Sequence, residues 1–242
     1  MAPKELTGIL CALITPFTAD GHSIDAAALD THVNGLIAAG IHGLVPGGST
    51  GEFTTLTPAE RKQLLERVIA YFTDISDAAA GLPIMYCNIP AASGVSLSPE
   101  ELAGLREVGV RCMKDASGNA PALAELGSRR FNGCDTRTFY GLCAGAKGSV
   151  WGAANVVPEL CARLWEAVAV RADLREGREL WAKIWPVCKF LESHNYAAAV
   201  KAGVDLVGGK TGGLRKPFAP LEEVHRKEFA GLLKAAGVKV VE

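Results

Sequence analysis

Residues 41–61, IHGLVPGGSTGEFTTLTPAER, contain one complete strand-to-helix unit and indicate how the whole chain folds. The apolar run IHGLVP predicts a short buried strand, and the glycine-rich segment after it predicts a turn. Thr57, Pro58 and Glu60 form a capping box, with threonine at the N-cap and proline at the first helical position, so a helix begins here. A strand, a turn and a capped helix in this order are typical of an α/β protein.

The same alternation continues along the chain. A helix with Leu29, Val33, Leu36 and Ile37 on one face follows the first strand, Ser98 and Glu101 cap a later helix, and a short helix is predicted near 120–127. Strands that alternate with helices predict a parallel sheet, either doubly wound or closed as a barrel. The predicted strands are GILCALITPF, IHGLVP, LPIMYCN, VGVRCMK, RRFNGCD and GSVWGAANV.

Polar segments placed directly after the strands favour the barrel. No GxGxxG follows the first strand, which argues against a dinucleotide-binding fold, and active sites of barrels lie at the carboxyl ends of their strands. We therefore predict a TIM (β/α)8-type barrel truncated to about six β/α units. Residues 1–157 would form the barrel with the site, and residues 158–242 would form C-terminal helices packed on it, within a single domain. Trp165, Trp181, Trp185, Phe190 and Tyr196 are expected to pack between these helices.

The composition excludes several classes of function. The chain has 242 residues, of which 49% are hydrophobic and 21% charged, and its formal net charge of −1 without a basic cluster argues against a nucleic-acid surface. No stretch approaches 18 uninterrupted apolar residues, so no membrane span is expected. The seven cysteines show no CxxC pairing and predict small buried side chains in a reducing cytosol. We therefore expect a cytoplasmic protein without a disulfide or zinc framework.

Lys114 ends an apolar strand in the segment RCMKDASG, residues 111–118. With a period of two, Cys112 and Lys114 point to the same side, where a lysine loses hydration unless something uses it. The structural alternative is a lysine that extends to solvent or pairs with Asp115. The functional interpretation is a desolvated, nucleophilic amine that forms a Schiff base with a ketone.

The segment GGST could hold the carboxylate of such a ketone. Backbone N–H groups of Gly48, Ser49 and Thr50 at a strand-to-helix turn can bind an anion, and the two hydroxyls add donors. A tight glycine turn without a ligand is the structural alternative. Together with Lys114, these residues indicate a site for a 2-keto acid.

Seven segments occur in the order of one known family. ALITPF, PGGSTGEFTTLTPAER, LPIMYCNIP, MKDASGN, GSVWGAANVVPEL, AVKAGVDLVG and LRKPFAPL together resemble the dihydrodipicolinate synthase and N-acetylneuraminate lyase family of pyruvate-dependent class I aldolases. The resemblance implies that Lys114 is the Schiff-base lysine, that Ser49 and Thr50 bind the pyruvyl carboxylate and relay protons, and that Val150 lines the pocket. It also implies a homotetrameric lyase that acts on pyruvate or another 2-keto acid and an aldehyde, without cofactor or metal.

Two single-residue departures from the family bear on the chemistry. Cys87 stands where the family has its catalytic tyrosine, and Tyr86 comes one residue too early, so Cys87 should face the barrel interior and Tyr86 the helices. Ala92 stands where dihydrodipicolinate synthases carry an arginine for the second substrate. This weakens the assignment as 4-hydroxy-tetrahydrodipicolinate synthase of lysine biosynthesis and favours a lyase for another 2-keto acid, such as a sugar acid.

A third departure is a missing segment. The family continues from its second helix into two further strands, whereas here the join falls near Ile69, Ala70 and Tyr71. The lost part includes a tyrosine pair that reaches a neighbouring subunit in the family, so this contact of the family's homotetramer is missing from the sequence. Two alternatives remain: a degenerate member that binds a keto acid or a partner without turnover, and an unrelated binding barrel. We expect six parallel strands with the site residues at their carboxyl ends.

Overall fold

Six parallel strands form one sheet in the computed structural model, which describes residues 6–70, 84–89, 110–117 and 130–241. The strands are β1 Gly8–Ala12, β2 Gly43–Val45, β3 Ile84–Asn88, β4 Val110–Asp115, β5 Arg130–Asn132 and β6 Gly148–Trp151. Their order in the sheet is β2-β1-β6-β5-β4-β3, so β2 and β3 are the edge strands in the described part of the chain. The sheet is a half-barrel, which confirms the predicted truncated barrel of α/β class.

Helices separate or follow these strands. A π-helical turn at Glu166–Val170 directly continues the helix Pro158–Trp165. The helices predicted to begin at Ser98 and near 120–127 lie outside the described residues. Within the described ranges, no helix has both the length and the apolar character that a membrane span requires. The α-helices of the described residues are α1 Ala26–Ala38, α2 Pro58–Ala70, α3 Thr138–Cys143, α4 Pro158–Trp165, α5 Leu174–Glu192, α6 Tyr196–Leu206 and α7 Glu223–Ala235.

The capping box of α2 forms as the sequence predicts. The backbone N–H of Thr57 donates to Oε2 of Glu60 over 2.9 Å, and the N–H of Glu60 donates to the Thr57 hydroxyl oxygen over 3.2 Å. These reciprocal bonds satisfy donors that a helix start leaves unpaired. They fix the point where the chain leaves the glycine-rich segment and enters α2.

The two faces of the sheet bury different sets of apolar residues. On the outer face, Ile9, Cys11 and Trp151 join the main core beneath the helices. On the inner face, alternate residues pack into a second cluster, here named the inner cluster. Side chains of both edge strands pack against this cluster, so the inner face is apolar across the width of the sheet. The inner cluster comprises Leu10, Cys112, Phe131 and Val150, with Ala12, Val45 and Met85 packed against them.

The C-terminal helices pack mostly through aromatic and aliphatic side chains. Phe190 of α5 stacks on Phe229 of α7 with ring centroids 4.4 Å apart, and Trp181 is buried. The prediction that Trp185 packs inside was wrong, because it is rotated by about 100° from the buried Ile184 around the helix and is 38% exposed. The prediction for Ile37 was wrong for the same reason, since its neighbour Leu36 takes the buried position. All seven cysteines are free thiols, and four are buried.

Candidate active site

Lys114 lies at the carboxyl end of β4, on the inner face of the half-barrel. In the parallel register its Cα pairs with Cys87 on β3 and with Phe131 on β5. Cys112, two residues earlier on the same face, is part of the inner cluster. Lys114 is half-buried, and its amine has no hydrogen-bond or ion-pair partner among the residues that the structure describes. The amine is therefore not occupied by a structural contact in this part of the chain.

Gly133, just after β5, leaves the space through which the Lys114 side chain runs. A β-carbon at Gly133 would lie 2.6 Å from Cε and 2.9 Å from Cγ of Lys114. Ordinary contacts between carbon atoms are about 3.5–4.0 Å, so a larger residue here would displace the lysine. Gly133 was not predicted as a site residue, and its only signal in the sequence is a glycine placed directly after a short predicted strand.

Asp115 does not pair with Lys114, so the ion-pair form of the structural alternative is wrong. It is 3% exposed and points to the opposite face, as successive strand residues do. Its carboxylate accepts hydrogen bonds from Nδ2 of Asn88 at 2.7 Å and from the hydroxyl of Ser117 at 3.0 Å. The Ser117 N–H also donates to it at 3.2 Å. These contacts fix the turn that follows Lys114.

Residues 47–50, named here the glycine loop, directly follow β2. They therefore lie at the carboxyl end of the parallel sheet, as Lys114 does. Gly47 has a φ of 67°, a conformation that suits glycine. The N–H of Gly51 donates to the Gly48 carbonyl over 3.1 Å, which folds the loop into a tight turn. The backbone N–H groups and hydroxyls of Ser49 and Thr50 have no partner elsewhere in the described ranges. Consecutive free N–H groups in such a turn are suited to binding an anion.

Residues just after β1 contact Gly51, the residue that follows the glycine loop. The hydroxyl of Thr15 donates to the carbonyl oxygen of Gly51 over 2.9 Å, and Thr15 is fully buried. A β-carbon at Gly51 would come within 2.9 Å of the Leu13 carbonyl oxygen. Glycine at this position therefore allows the loop to lie directly against β1.

Cys87 and Val150 share the inner face with Lys114. Cys87 is exposed at the carboxyl end of β3, while Tyr86 pairs with Met113 and faces the other side. Val150 on β6 is 3% exposed and belongs to the inner cluster. The structure thus places Lys114, Cys87 and Val150 on one face of the sheet, with the glycine loop at the carboxyl ends of the strands. Ala92 lies outside the described residues.

Asp135, after β5, is a buried titratable group on the side of the C-terminal helices. Burial raises the pKa of Asp135 to about 7, opposed first by a hydrogen bond with Tyr196. Its carboxylate also accepts the N–H groups of Gly152 at 3.3 Å and Ala153 at 2.9 Å. Asp135 is therefore expected to change protonation near neutral pH. Among the described residues, no three His, Cys, Asp or Glu side chains are grouped to hold a metal ion.

Comparison with known proteins gives the family. The sequence model of the Dihydrodipicolinate synthetase family matches residues 5–70 and 66–236. The two matched segments meet at residues 66–70, next to the predicted join. The 4-hydroxy-tetrahydrodipicolinate synthase of Methanopyrus kandleri is 28% identical over 297 aligned positions, covering 97% of this chain and 97% of the relative. Because 297 positions exceed the 242 residues of this chain, the relative has residues that this chain lacks.

Solved structures agree with this assignment. A Pseudomonas aeruginosa protein provisionally described as a dihydrodipicolinate synthetase is 25% identical, with a TM-score of 0.86 over 96% of this chain and 100% of that one. The chloride-inhibited dihydrodipicolinate synthase of Acinetobacter baumannii, complexed with pyruvate, is 23% identical, with a TM-score of 0.86 over 97% of this chain and 100% of that one. The chain belongs to the dihydrodipicolinate synthetase family, a family of lyases and aldolases.

Proposed function

We propose that the chain is a Schiff-base-forming lyase or aldolase that acts on pyruvate or another 2-keto acid, with Lys114 as the reacting amine. The observation that carries this proposal is the amine of Lys114, which ends an apolar inner face and has no partner among the described residues. A lysine kept in such a place is available as a nucleophile. The Acinetobacter protein of the same fold was solved with pyruvate, so pyruvate is the first keto acid to test.

The proposed reaction has four steps. The glycine loop binds the keto-acid carboxylate through the N–H groups of Ser49 and Thr50. The Lys114 amine attacks the ketone carbon, water leaves, and an iminium forms. Loss of a proton from the neighbouring carbon gives an enamine, which attacks an aldehyde carbonyl and forms the carbon–carbon bond. Water then hydrolyses the new iminium and frees Lys114, and the reverse sequence cleaves the bond.

Cys87 is the proposed proton-transfer residue. Its Cα pairs with that of Lys114, and it is exposed at the end of the strand where an incoming aldehyde would meet the enamine. A thiol exchanges protons but is a weaker hydrogen-bond donor than a tyrosine hydroxyl. Slow proton transfer is therefore the expected weakness of this chain relative to members that have tyrosine here.

A second candidate function is the synthase step of lysine biosynthesis. The name of the Methanopyrus kandleri relative favours it, whereas Ala92 in place of an arginine argues against it. The aldehyde separates the two functions, because an aldehyde with its own carboxylate needs a cation that Ala92 does not supply. We expect turnover to be faster with polyhydroxylated aldehydes such as glyceraldehyde than with a carboxylate-bearing aldehyde.

Deuterium exchange into pyruvate tests the function against binding alone. In D₂O an enzyme that forms the enamine replaces the methyl protons of pyruvate, and NMR records their loss. We expect exchange with the wild type and with the exposed-lysine control Lys210→Ala, but none with Lys114→Ala. Exchange that survives Lys114→Ala would refute the role of this lysine. An imine without exchange would support the degenerate, non-catalytic alternative.

A further inference from the structure

Glu52, two residues after Thr50, has a strained backbone inside the protein. Its φ of 55° and ψ of 39° lie in the left-handed region that residues other than glycine rarely adopt. It is also fully buried, with 0% of its side chain exposed. A strained residue of this kind persists only where its surroundings hold it, and such residues cluster at functional sites.

Two contacts hold the Glu52 carboxylate. Oε1 lies 2.5 Å from Nζ of Lys201 on α6, and Oε2 accepts the backbone N–H of Arg215 at 3.0 Å. Residues from two distant parts of the chain therefore converge on one side chain next to the glycine loop. Neither Glu52 nor Lys201 was identified as a site residue from the sequence, because the pairing brings together positions that no local pattern connects.

The Lys201 side chain is buried, and its amine is fully engaged in contacts. Its side chain is 2% exposed, and Nζ also donates to the carbonyl oxygen of Gly213 at 2.6 Å. The amine lies 4.2 Å from the ring centre of Phe17. Burial lowers the pKa of Lys201, and the nearby Glu52 carboxylate opposes that shift. Removing one partner of such a pair leaves an uncompensated charge in the interior.

Glu52 connects directly to the proposed anion-binding groups. Its N–H donates to the carbonyl oxygen of Ser49 over 3.1 Å, and the preceding carbonyl, of Gly51, accepts the Thr15 hydroxyl. The peptide units between Ser49 and Glu52 are thus fixed at both ends. The Thr50 N–H shares a peptide unit with the Ser49 carbonyl, so the contact from Glu52 orients it directly. The Ser49 N–H shares a peptide unit with the Gly48 carbonyl, which accepts the N–H of Phe53, the residue after Glu52, at 3.3 Å.

We propose that Glu52 and Lys201 form a positioning pair for the carboxylate of the keto acid. Neither contacts the substrate; Glu52 fixes the turn that presents the N–H groups, and Lys201 both anchors and neutralises Glu52. This inference rests on the proposed function and adds its positioning residues. The pair also removes an unfavourable charge, because an unpaired Glu52 carboxylate beside the anion site would repel the substrate carboxylate.

The test measures how much pyruvate gives half-maximal borohydride trapping at Lys114. Lys201→Met leaves Glu52 unpaired, and we expect the half-saturating concentration to rise about 10- to 100-fold, the range expected when positioning is lost. The adduct should still form on Lys114 at saturating pyruvate. The double variant Glu52→Gln with Lys201→Met has no unpaired buried charge, so its increase should be smaller. Lys210→Met, an exposed lysine near the end of α6, is the matched control and should be unchanged.

Three outcomes would overturn the inference. If Lys201→Met melts at a lower temperature but keeps the wild-type half-saturating concentration, the pair is purely structural. If Lys201→Met does not fold, the double variant is measured instead. A wild-type half-saturating concentration in the double variant would likewise show that the pair is purely structural. If the wild type itself forms no adduct at Lys114, the proposed function fails and this inference fails with it. If the wild type forms the adduct and every variant has the same half-saturating pyruvate concentration, only this inference fails.

Discussion

Gly133→Ala is the substitution that most directly probes the path of the Lys114 side chain. The added methyl group would lie 2.6 Å from Cε of Lys114 and 2.9 Å from the carbonyl oxygen of Asp115. The carbonyl cannot retreat easily, because the Gly133 N–H donates to it at 2.7 Å. Ordinary carbon contacts are about 3.5–4.0 Å, so Lys114 must move by about 1 Å. Overpacking of this kind costs about 1–3 kcal/mol of stability, and a reacting group misplaced by about 1 Å can lose about 10²-fold in rate.

The assay compares the rate of imine formation with pyruvate, trapped by borohydride at short times, in the wild type and the variant. Gly231→Ala is the matched control, because Gly231 lies in α7 with open space where its β-carbon would be. We expect unchanged imine formation in the control and a gain in stability of about 0.5–1 kcal/mol from helix propensity. If Gly133→Ala forms the imine at the wild-type rate and unfolds at the same urea concentration, the inferred path of Lys114 is wrong.

Three further predictions concern single side chains. Cys87→Tyr should raise the rate of deuterium exchange at least about tenfold, since general acid–base catalysis is typically worth about 10²–10⁴-fold. Tyr86→Phe should have little effect on this rate, and the opposite pattern would mean that the strand faces are misassigned. The folded pKa of Asp135, about 7, lies above the unfolded value of about 3.9. The folded state therefore binds this proton more tightly, and the stabilisation is complete below about pH 4 and is lost as the pH rises through 7. Urea unfolding of the wild type relative to Asp135→Asn should show this loss, and parallel pH profiles would contradict it. Thr57→Ala should lower the free energy of unfolding by about 1 kcal/mol through loss of the helix cap, more than Thr31→Ala in the exposed face of α1, and equal losses would argue against the capping box.

The sequence was sufficient for features that depend on local patterns. The six strands were predicted from short apolar runs bounded by turn residues, and the capping box of α2 forms as expected. The period of two along β3 was enough to separate the faces of Tyr86 and Cys87, because this alternation is a property of any extended strand. The predicted join near Ala70 agrees with the point at which the two family matches meet.

Features that depend on contacts between distant residues were not predictable. Glu52 and Lys201 meet only because α6 packs beside the glycine loop, and Gly133 matters only because the Lys114 side chain crosses it. Trp185 illustrates the same limit within one helix. Its hydrophobicity predicts burial, but neighbouring helices decide which part of an apolar stripe they cover, and the ring is instead approached by Lys189, whose Nζ lies 5.2 Å from the ring centre.

The most direct test of the central claim is the site of the pyruvate adduct. The full chain is incubated with pyruvate and reduced with borohydride, and the modified peptide is identified by mass spectrometry. We predict one adduct per chain on the peptide that contains Lys114, and no adduct in Lys114→Ala. An adduct on Lys147 or Lys201 instead, or undiminished labelling of Lys114→Ala, would contradict the assignment of Lys114 as the reacting amine.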